Sequence, residues 1–407
     1  MLSRKKLDPR IIMAFIWSAL LVFSPPCAQQ TAAAYLGGEL STRYVVNLKE
    51  GDSYDAFSSL ELELESRFGP VDLYLNPVLT FNFQQSAGDA FLKEAYLDFY
   101  FADFDLRVGK QLVTWGKADG MVLTNMVNPL DLTEYPVVDF ADQFQSINAV
   151  KIDYYLSSKL LEIIWVPEFE PAKMDPALLQ KHPAATIPPP PKDLSRKEMK
   201  SSLENSEIAL KYSSLGQGYD YELVAGYFWD DEPTMHLEEK NGNLVMVPEH
   251  HRLTMVGGSL STALGPFVVR IEGAYLNGKY FGASDPLASD GTLQKDQVKF
   301  LLAGDYALGD YLLSLQVMEE IILDYEQGIN KEEYTELVSL LISRSFLRET
   351  LSTEVTFYYD QAHEQLLVRP RIGYDLSDQV NFKGGACYAL DGGVRDDVLF
   401  LQINYLF

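Results

Sequence analysis

Apolar and polar residues alternate along much of the chain from residue 35 to its end. The stretch SSLELELESRF places Glu61, Glu63 and Glu65 on one side of an extended backbone and leucines on the other. In the last nine residues, LFLQINYLF, every second residue is again large and apolar, with Gln402 and Asn404 between. A period of two is typical of a β-strand whose faces meet different surroundings. The pattern therefore predicts an all-β chain of two-faced strands.

Two kinds of connector separate these strands, and the two kinds alternate strictly. The tight ones are 68–70, 101–105, 157–159, 215–218, 264–266, 308–310, 347–349 and 376–379. The longer, polar ones are 49–56, 84–90, 115–145, 169–203, 231–250, 279–296, 323–334, 360–365 and 390–396. This is the layout of a bacterial outer-membrane barrel, so we expect a transmembrane antiparallel β-barrel of about 18 strands. Poor alternation in 251–263 and 335–347 leaves roughly 16 strands as the lower count.

A soluble antiparallel sheet can also alternate, so a β-sandwich is the competing fold. The apolar sides are rich in aromatic residues, and the chain has 24 tyrosines and 22 phenylalanines. About nine such hairpins would need a second sheet to cover them in water, whereas a bilayer covers all of them and closure removes the exposed edges. These considerations favour the membrane barrel.

The N-terminus has the organisation of a secretory signal peptide. Four basic residues within the first ten precede the apolar run IIMAFIWSALLVF, and small residues follow. The run is shorter than the ~20 residues that a membrane-spanning helix needs. We therefore expect residues 1–34 to be removed on export, with cleavage after Ala28 as the alternative to Ala34, and residues 35–407 to form the barrel in a Gram-negative-type outer membrane.

Charge and chemistry exclude several functional classes. The net charge of −25 argues against nucleic acid as a partner. Beyond the signal region the chain has a single cysteine, Cys387, so no internal disulfide is expected. His250 and His251 beside Glu249 could be drawn as a metal or catalytic site, but adjacent residues of an extended chain point to opposite sides. The sequence thus predicts no enzyme, no metal site and no cofactor.

The segment 91–135 carries a family resemblance. Its elements LKEAYLDF, LRVGKQ, WGKADG and VNPLD resemble an uncharacterised family of Gram-negative outer-membrane β-barrels, which is similar in appearance to porins of the alginate-export type. The matching positions are Lys110, Trp115, Gly116, Asp119, Gly120, Asn128, Pro129 and Asp131. The resemblance implies a channel-like barrel without a settled substrate.

Two long connectors have distinct compositions. The loop 115–145 contains many apolar residues, so we expect it to fold inward and narrow the lumen; capping of the rim, or covering of an oligomer contact, is the alternative. The loop 169–203 is rich in proline, which predicts an extended outer loop. On the strand before the first loop, Arg107 should face inward and pair with Glu94 or Asp98, because such charges cannot face lipid.

The candidate pore-lining and constriction residues are mostly charged. They are Glu61, Glu63, Glu65, Arg67, Glu94, Asp98, Arg107, Trp115, Lys117, Asp119, Arg369 and Arg371. Acidic rings select cations. Facing acidic and basic ladders would instead set a transverse field, and a solvated lumen braced by salt bridges, with little selectivity, is the third interpretation.

The predicted function is passive diffusion of small solutes through a porin-like channel. The alternatives are a barrel for hydrophobic or lipid-like molecules, with the 115–145 loop in a binding groove, and a non-conducting structural or adhesive barrel. Expected partners are outer-membrane lipid and the outer-membrane assembly machinery, which would read Ile403, Tyr405 and Phe407 as a C-terminal signal. Whether the barrel forms a homo-oligomer is left open.

Overall fold

The computed structural model describes residues 34–48, 53–117, 121, 123–133, 143–173, 202–216, 218–284, 290–390 and 397–407. The predicted signal peptide, apart from Ala34, and the proline-rich stretch 174–201 lie outside these residues, as do Asp119 and Gly120. Within the described part of the chain, no helix is long and apolar enough to cross a bilayer.

Most described residues belong to β-strands. The strands are β1 (Ala34–Asn47), β2 (Ser53–Phe68), β3 (Val71–Asn82), β4 (Ala87–Tyr100), β5 (Phe104–Gln111), β6 (Ile147–Leu156), β7 (Lys159–Val166), β8 (Glu207–Leu215), β9 (Tyr219–Trp229), β10 (Thr234–Lys240), β11 (Asn243–Glu249), β12 (Arg252–Leu264), β13 (Phe267–Gly282), β14 (Thr292–Leu308), β15 (Tyr311–Ile322), β16 (Tyr334–Phe346), β17 (Leu351–Asp360), β18 (Gln365–Asp375), β19 (Val380–Leu390) and β20 (Val398–Leu406). A short 3-10 helix, Leu203–Asn205, precedes β8.

Eighteen of these described strands form one closed antiparallel barrel. Each pairs with its neighbour in the chain, and β20 pairs with β1 to close the sheet. The remaining two, β10 and β11, form a separate hairpin in the connection between β9 and β12. The predicted strand number is therefore confirmed, whereas the interpretation of 231–250 as a plain loop was wrong.

The eight predicted tight turns all lie at one end of the barrel, with both ends of the described chain; we call it the turn end. The glycines of the turns at 68–70, 264–266 and 308–310 have φ near 60°, a conformation that glycine adopts without steric cost. The nine long connections lie at the opposite end, the loop end. This arrangement is the one expected of an outer-membrane barrel.

The final residue is fixed by the first strand. Phe407 donates its N–H to the Gly38 carbonyl, and Gly38 donates back to the Phe407 carbonyl, both at 3.0 Å. On β20, Leu401 and Ile403 are exposed on the outer face, whereas Val398 and Phe400 are buried. The apolar outer residues suit contact with lipid.

Gly109 in β5 allows two strands to approach closely. Its φ is +136°, and a Cβ at this position would lie 2.3 Å from the Ala95 carbonyl oxygen on β4. We expect Gly109→Ala to lower the stability of the barrel by about 1–3 kcal/mol, measured by urea unfolding in lipid vesicles. Gly304→Ala is the matched control, because a Cβ there meets no atom within 4 Å. Equal stability of the two variants would contradict the prediction.

Candidate functional site

The loop after β5 folds onto the inner wall of the barrel. Its Val113, Trp115 and Val127 share one buried cluster with inward-facing apolar side chains of β6–β9, β12 and β13. The wall members are Ile147, Ala149, Ile164, Val166, Ala209, Val224, Phe228, Leu253, Met255, Ala274 and Leu276. Further along, Met121 and Leu123 pack against Leu301 and Ala303 of β14. The apolar inner wall explains why 251–263 alternates poorly, since β12 is apolar on both faces.

Three buried carboxylates on this wall hold the loop. They are Glu162 of β7, Glu222 of β9 and Glu272 of β13, with exposed fractions of 5%, 7% and 0%. The Trp115 Nε1–H donates to Glu162. The Lys117 Nζ lies 3.0 Å from Glu222 Oε1. Two side chains of the loop, those of Trp115 and Lys117, therefore each contact a carboxylate on a different strand.

Glu272 binds the backbone of the loop at two points. Its carboxylate accepts hydrogen bonds from the Lys117 N–H at 2.6 Å, from the Leu123 N–H at 3.0 Å and from the Thr124 hydroxyl at 3.3 Å. Hydrogen bonds to an ionised group contribute about 1.5–3 kcal/mol each, and buried donors that lose their acceptor are costly. Glu272 is therefore the principal anchor of the loop.

Two lysines compensate the charge of Glu162. The ammonium nitrogens of Lys151 and Lys211 each lie 3.5 Å from its carboxylate oxygens. Lys151 also pairs with Asp153 at 2.8 Å, and the Lys211 ammonium lies 5.5 Å from the centre of the Trp115 ring. A buried carboxylate is tolerated only when it is paired and hydrogen-bonded, and this set of partners supplies both.

Asn128 and Asp131 hold the base of the loop in place. Asn128 accepts the Val113 N–H at 2.9 Å and donates to the Gln145 carbonyl at 2.6 Å. Asp131 pairs with Lys173 at 3.0 Å. Burial opposes ionisation of Asp131, but hydrogen bonds from Thr133 and Lys173 outweigh it and lower the pKa of Asp131. These contacts position the loop.

A strip of acidic side chains follows the inner face of β2–β4. Arg107 pairs with Asp98 through two hydrogen bonds of 2.7 and 2.8 Å and lies 3.9 Å from the centre of the Tyr96 ring. Glu94, the other partner predicted for Arg107, accepts the Leu112 N–H at 2.6 Å instead. Glu61 pairs with Lys93 at 3.0 Å. In this strip, Asp98 and Glu61 therefore form ion pairs. Glu63 and Glu65 follow Glu61 on the same face of β2.

The turn end of this strip borders an open cavity. A space of about 340 Å³ is lined by Glu65, Arg67, Asp72, Tyr74, Tyr96 and Asp98, among others. On its wall, Arg67 of β2 pairs with Asp72 of β3, with Nε 2.6 Å from Oδ1. The cavity combines carboxylates, an arginine and tyrosine rings, which suits a polar, hydrated passage.

Basic residues occupy the neighbouring strands on the inner face. Arg369 and Arg371 lie on β18, and the register places Lys383 of β19 beside Gln402, which in turn pairs with Arg43 of β1. Arg43 lies 4.1 Å from the centre of the Phe57 ring. Because β1 pairs with β2, the basic and acidic strips border each other. In the sheet order the two strips are therefore neighbours and do not lie on opposite sides of the barrel.

The anchors Glu162, Glu222 and Glu272 were not among the predicted site residues. Glu162, for example, is the one charged residue on the inner face of β7, where Ile164 and Val166 follow it. An isolated charge on such a face needs a partner, and that signal is present in the sequence. Of the predicted residues, Trp115 and Lys117 contact these anchors, whereas Asp119 lies outside the described residues.

The fold, a closed barrel of 18 described strands with a loop on its inner wall, is similar to the folds of several solved outer-membrane barrels. OccK8 (OprE) of Pseudomonas aeruginosa matches with a TM-score of 0.58 and 8% identity, covering 92% of this chain and 98% of that one. OccAB1 of Acinetobacter baumannii matches with a TM-score of 0.55 and 10% identity, covering 92% and 96%. OpdK of Pseudomonas aeruginosa, solved with vanillate, matches with a TM-score of 0.53 and 10% identity, covering 92% and 98%.

The sequence comparison identifies the family. Residues 76–383 match the family described as "Protein of unknown function (DUF1302)", and the chain belongs to that family. A search of curated proteins gives no match.

Proposed function

We propose that this protein is an outer-membrane channel through which small solutes diffuse passively. The observation that supports this most directly is the pinned loop: a segment from outside the strand ladder is held against the inner wall by Glu162, Glu222 and Glu272. Such a loop narrows a lumen, and a barrel of this strand number is wide enough for an aqueous channel unless it is filled.

The position of the loop favours a path beside the charged strips. Its described residues hydrogen-bond to β7, β9 and β13, on the apolar part of the wall. The strips on β1–β4 and β18–β19 lie on the rest of the circumference. A polar solute would therefore move along acidic and basic side chains with the loop on its other side.

Transport of hydrophobic molecules has less support. The apolar loop residues Trp115, Met121 and Val127 are only 1%, 4% and 3% exposed, so they complete the wall and do not offer an apolar groove. Vanillate, named with the structurally similar OpdK, is a small carboxylate and fits the small-solute proposal better. The pairing of charges in the wall also agrees with a hydrated lumen.

The refolded full-length mature chain should give discrete current steps in a planar bilayer. Under a salt gradient we expect the reversal potential to shift toward cations, because the acidic strip carries the surplus charge. The double variant Glu63→Gln, Glu65→Gln should reduce this shift. The matched control, Glu349→Gln with Asp378→Asn, removes two carboxylates from exposed tight turns and should leave the shift unchanged.

Two results would contradict the proposal. A correctly folded barrel that leaves the bilayer silent would exclude an open channel. A conducting barrel whose reversal potential is equally changed by both double variants would exclude the acidic strip as the source of selectivity. Swelling of protein-containing liposomes in small sugars and carboxylates then measures which solutes pass.

A further inference from the structure

Three potential metal ligands meet at the loop end of the barrel. They are His236 of β10, Glu249 of β11 and His251, the residue before β12. One ligand atom from each lies within 4.8 Å of the others. The two histidine Nε2 atoms are 2.7 Å apart, and His236 is buried, with 8% of its surface exposed. These groups lie outside the wall and loop described above.

The β10–β11 hairpin brings these residues together. Asn241 and Gly242 at its tip have φ of 54° and 80°, which is the backbone of a tight type I′ hairpin turn. The register then places Thr234 opposite Glu249, so that His236 and His251 lie at the same end of the hairpin. His250 turns away: its Nδ1 is 2.7 Å from the Asp230 carbonyl oxygen. The adjacent histidines therefore do not chelate together, and the second imidazole comes from β10.

A supporting shell fixes both imidazoles. The Asp290 Oδ2 lies 3.5 Å from the His236 Nδ1, on the side away from His251. The Tyr280 ring stacks on His251 with centroids 3.8 Å apart and an interplanar angle of 19°. A carboxylate behind a histidine orients the ring and presents its other nitrogen to a metal. This shell comes from β13 and the connection after it, so it belongs to the barrel and not to the hairpin.

We propose that His236, Glu249 and His251 bind a divalent transition-metal ion, with Zn²⁺ the best match. Two imidazoles and one carboxylate are the ligand set of zinc sites that keep a fourth position for water or an outside ligand. Zn–N bonds near 2.0 Å in a tetrahedral site would separate the two nitrogens by about 3.3 Å, so the rings need move apart only slightly from 2.7 Å.

The metal would clamp the hairpin onto the mouth of the barrel. Two of its ligands belong to the hairpin and the third immediately precedes β12, while Asp290 links the site to the β13–β14 connection. A backbone hydrogen bond already joins the hairpin to this connection, since the Leu237 N–H donates to the Asp290 carbonyl at 2.7 Å. Bound metal would therefore fix the position of the hairpin relative to the barrel wall.

The test measures metal binding to the refolded, metal-stripped mature chain. Titration with Zn²⁺ should show one site per chain, and Co²⁺ should give the visible absorption of a tetrahedral site. We expect His236→Gln and His251→Gln each to abolish the Co²⁺ spectrum, and Asp290→Asn to weaken Zn²⁺ binding by about 10–100-fold. Trypsin cleavage after Lys240 should slow when Zn²⁺ is present, because the hairpin is then fixed.

Two histidines serve as matched controls. His250→Gln and His363→Gln also remove an imidazole at the loop end, but His363 pairs with Asp360 at 2.8 Å, away from the cluster. Both should bind Zn²⁺ and Co²⁺ as the unaltered chain does. The proposal is wrong if the unaltered folded barrel shows no stoichiometric site, or if all four histidine variants bind equally. Neither result depends on whether the barrel conducts.

Discussion

Removing the inward loop should raise the single-channel conductance severalfold. Gln111 and Ile147 are paired residues of neighbouring strands, so an Asn-Gly turn can replace residues 113–145 and continue the hairpin. The lumen then loses Trp115 and the rest of the segment held by the three carboxylates. The measurement is the step size in planar bilayers, compared with that of the unaltered barrel.

The loop-deleted barrel will also be less stable, because Phe228 and Met255 lose their apolar cover. Its folding must therefore be checked by heat-dependent migration on a gel before conductance is interpreted. A control that shortens the proline-rich loop by removing residues 176–199 should keep the original step size. A folded, loop-deleted barrel with unchanged conductance would show that the loop does not narrow the path.

Glu272→Gln should release the loop without removing it. The amide keeps the shape of the side chain but replaces one acceptor oxygen with a donor, which cannot serve the N–H groups of Lys117 and Leu123 together. Each lost charge-assisted hydrogen bond weakens the anchor by about 1.5–3 kcal/mol. We expect a larger mean conductance with frequent transitions between levels, recorded at fixed voltage.

The control for this variant is Glu319→Gln. It removes the same charge from an exposed position of β15, where the side chain does not contact the loop. Its current traces should match those of the unaltered barrel. If the Glu272→Gln traces also match, the loop does not depend on this carboxylate, and the remaining contacts at Glu162 and Glu222 hold it alone.

Local pattern was sufficient to predict the barrel. Every tight turn stands where glycine or short polar stretches interrupt a period of two, because turn chemistry and strand periodicity are both local properties. The β10–β11 hairpin was missed although Asn241-Gly242 is a strong hairpin signal, since its flanks were interpreted as polar loop. The pairing of Arg107 with Asp98, one of its two predicted partners, could also be expected from the sequence because it joins neighbouring strands.

The partners of the loop could not be predicted from pattern. Trp115 and Glu162 are 47 residues apart in the chain, and Leu123 and Glu272 are 149 apart. Their contact depends on the closed shape of the barrel and on where the loop enters the lumen. The meeting of His236 with His251, over 15 residues, required the unrecognised hairpin.

Closure by the first and last strands has a consequence for how the chain folds. Gln402 on β20 donates to the Ser41 hydroxyl on β1 across 361 residues of sequence. Contacts between such distant segments form slowly, because the intervening chain must be ordered first. Until β20 arrives, β1 and β19 are unpaired edges open to other chains. A chain truncated before β20 would therefore keep both edges open and be prone to aggregate.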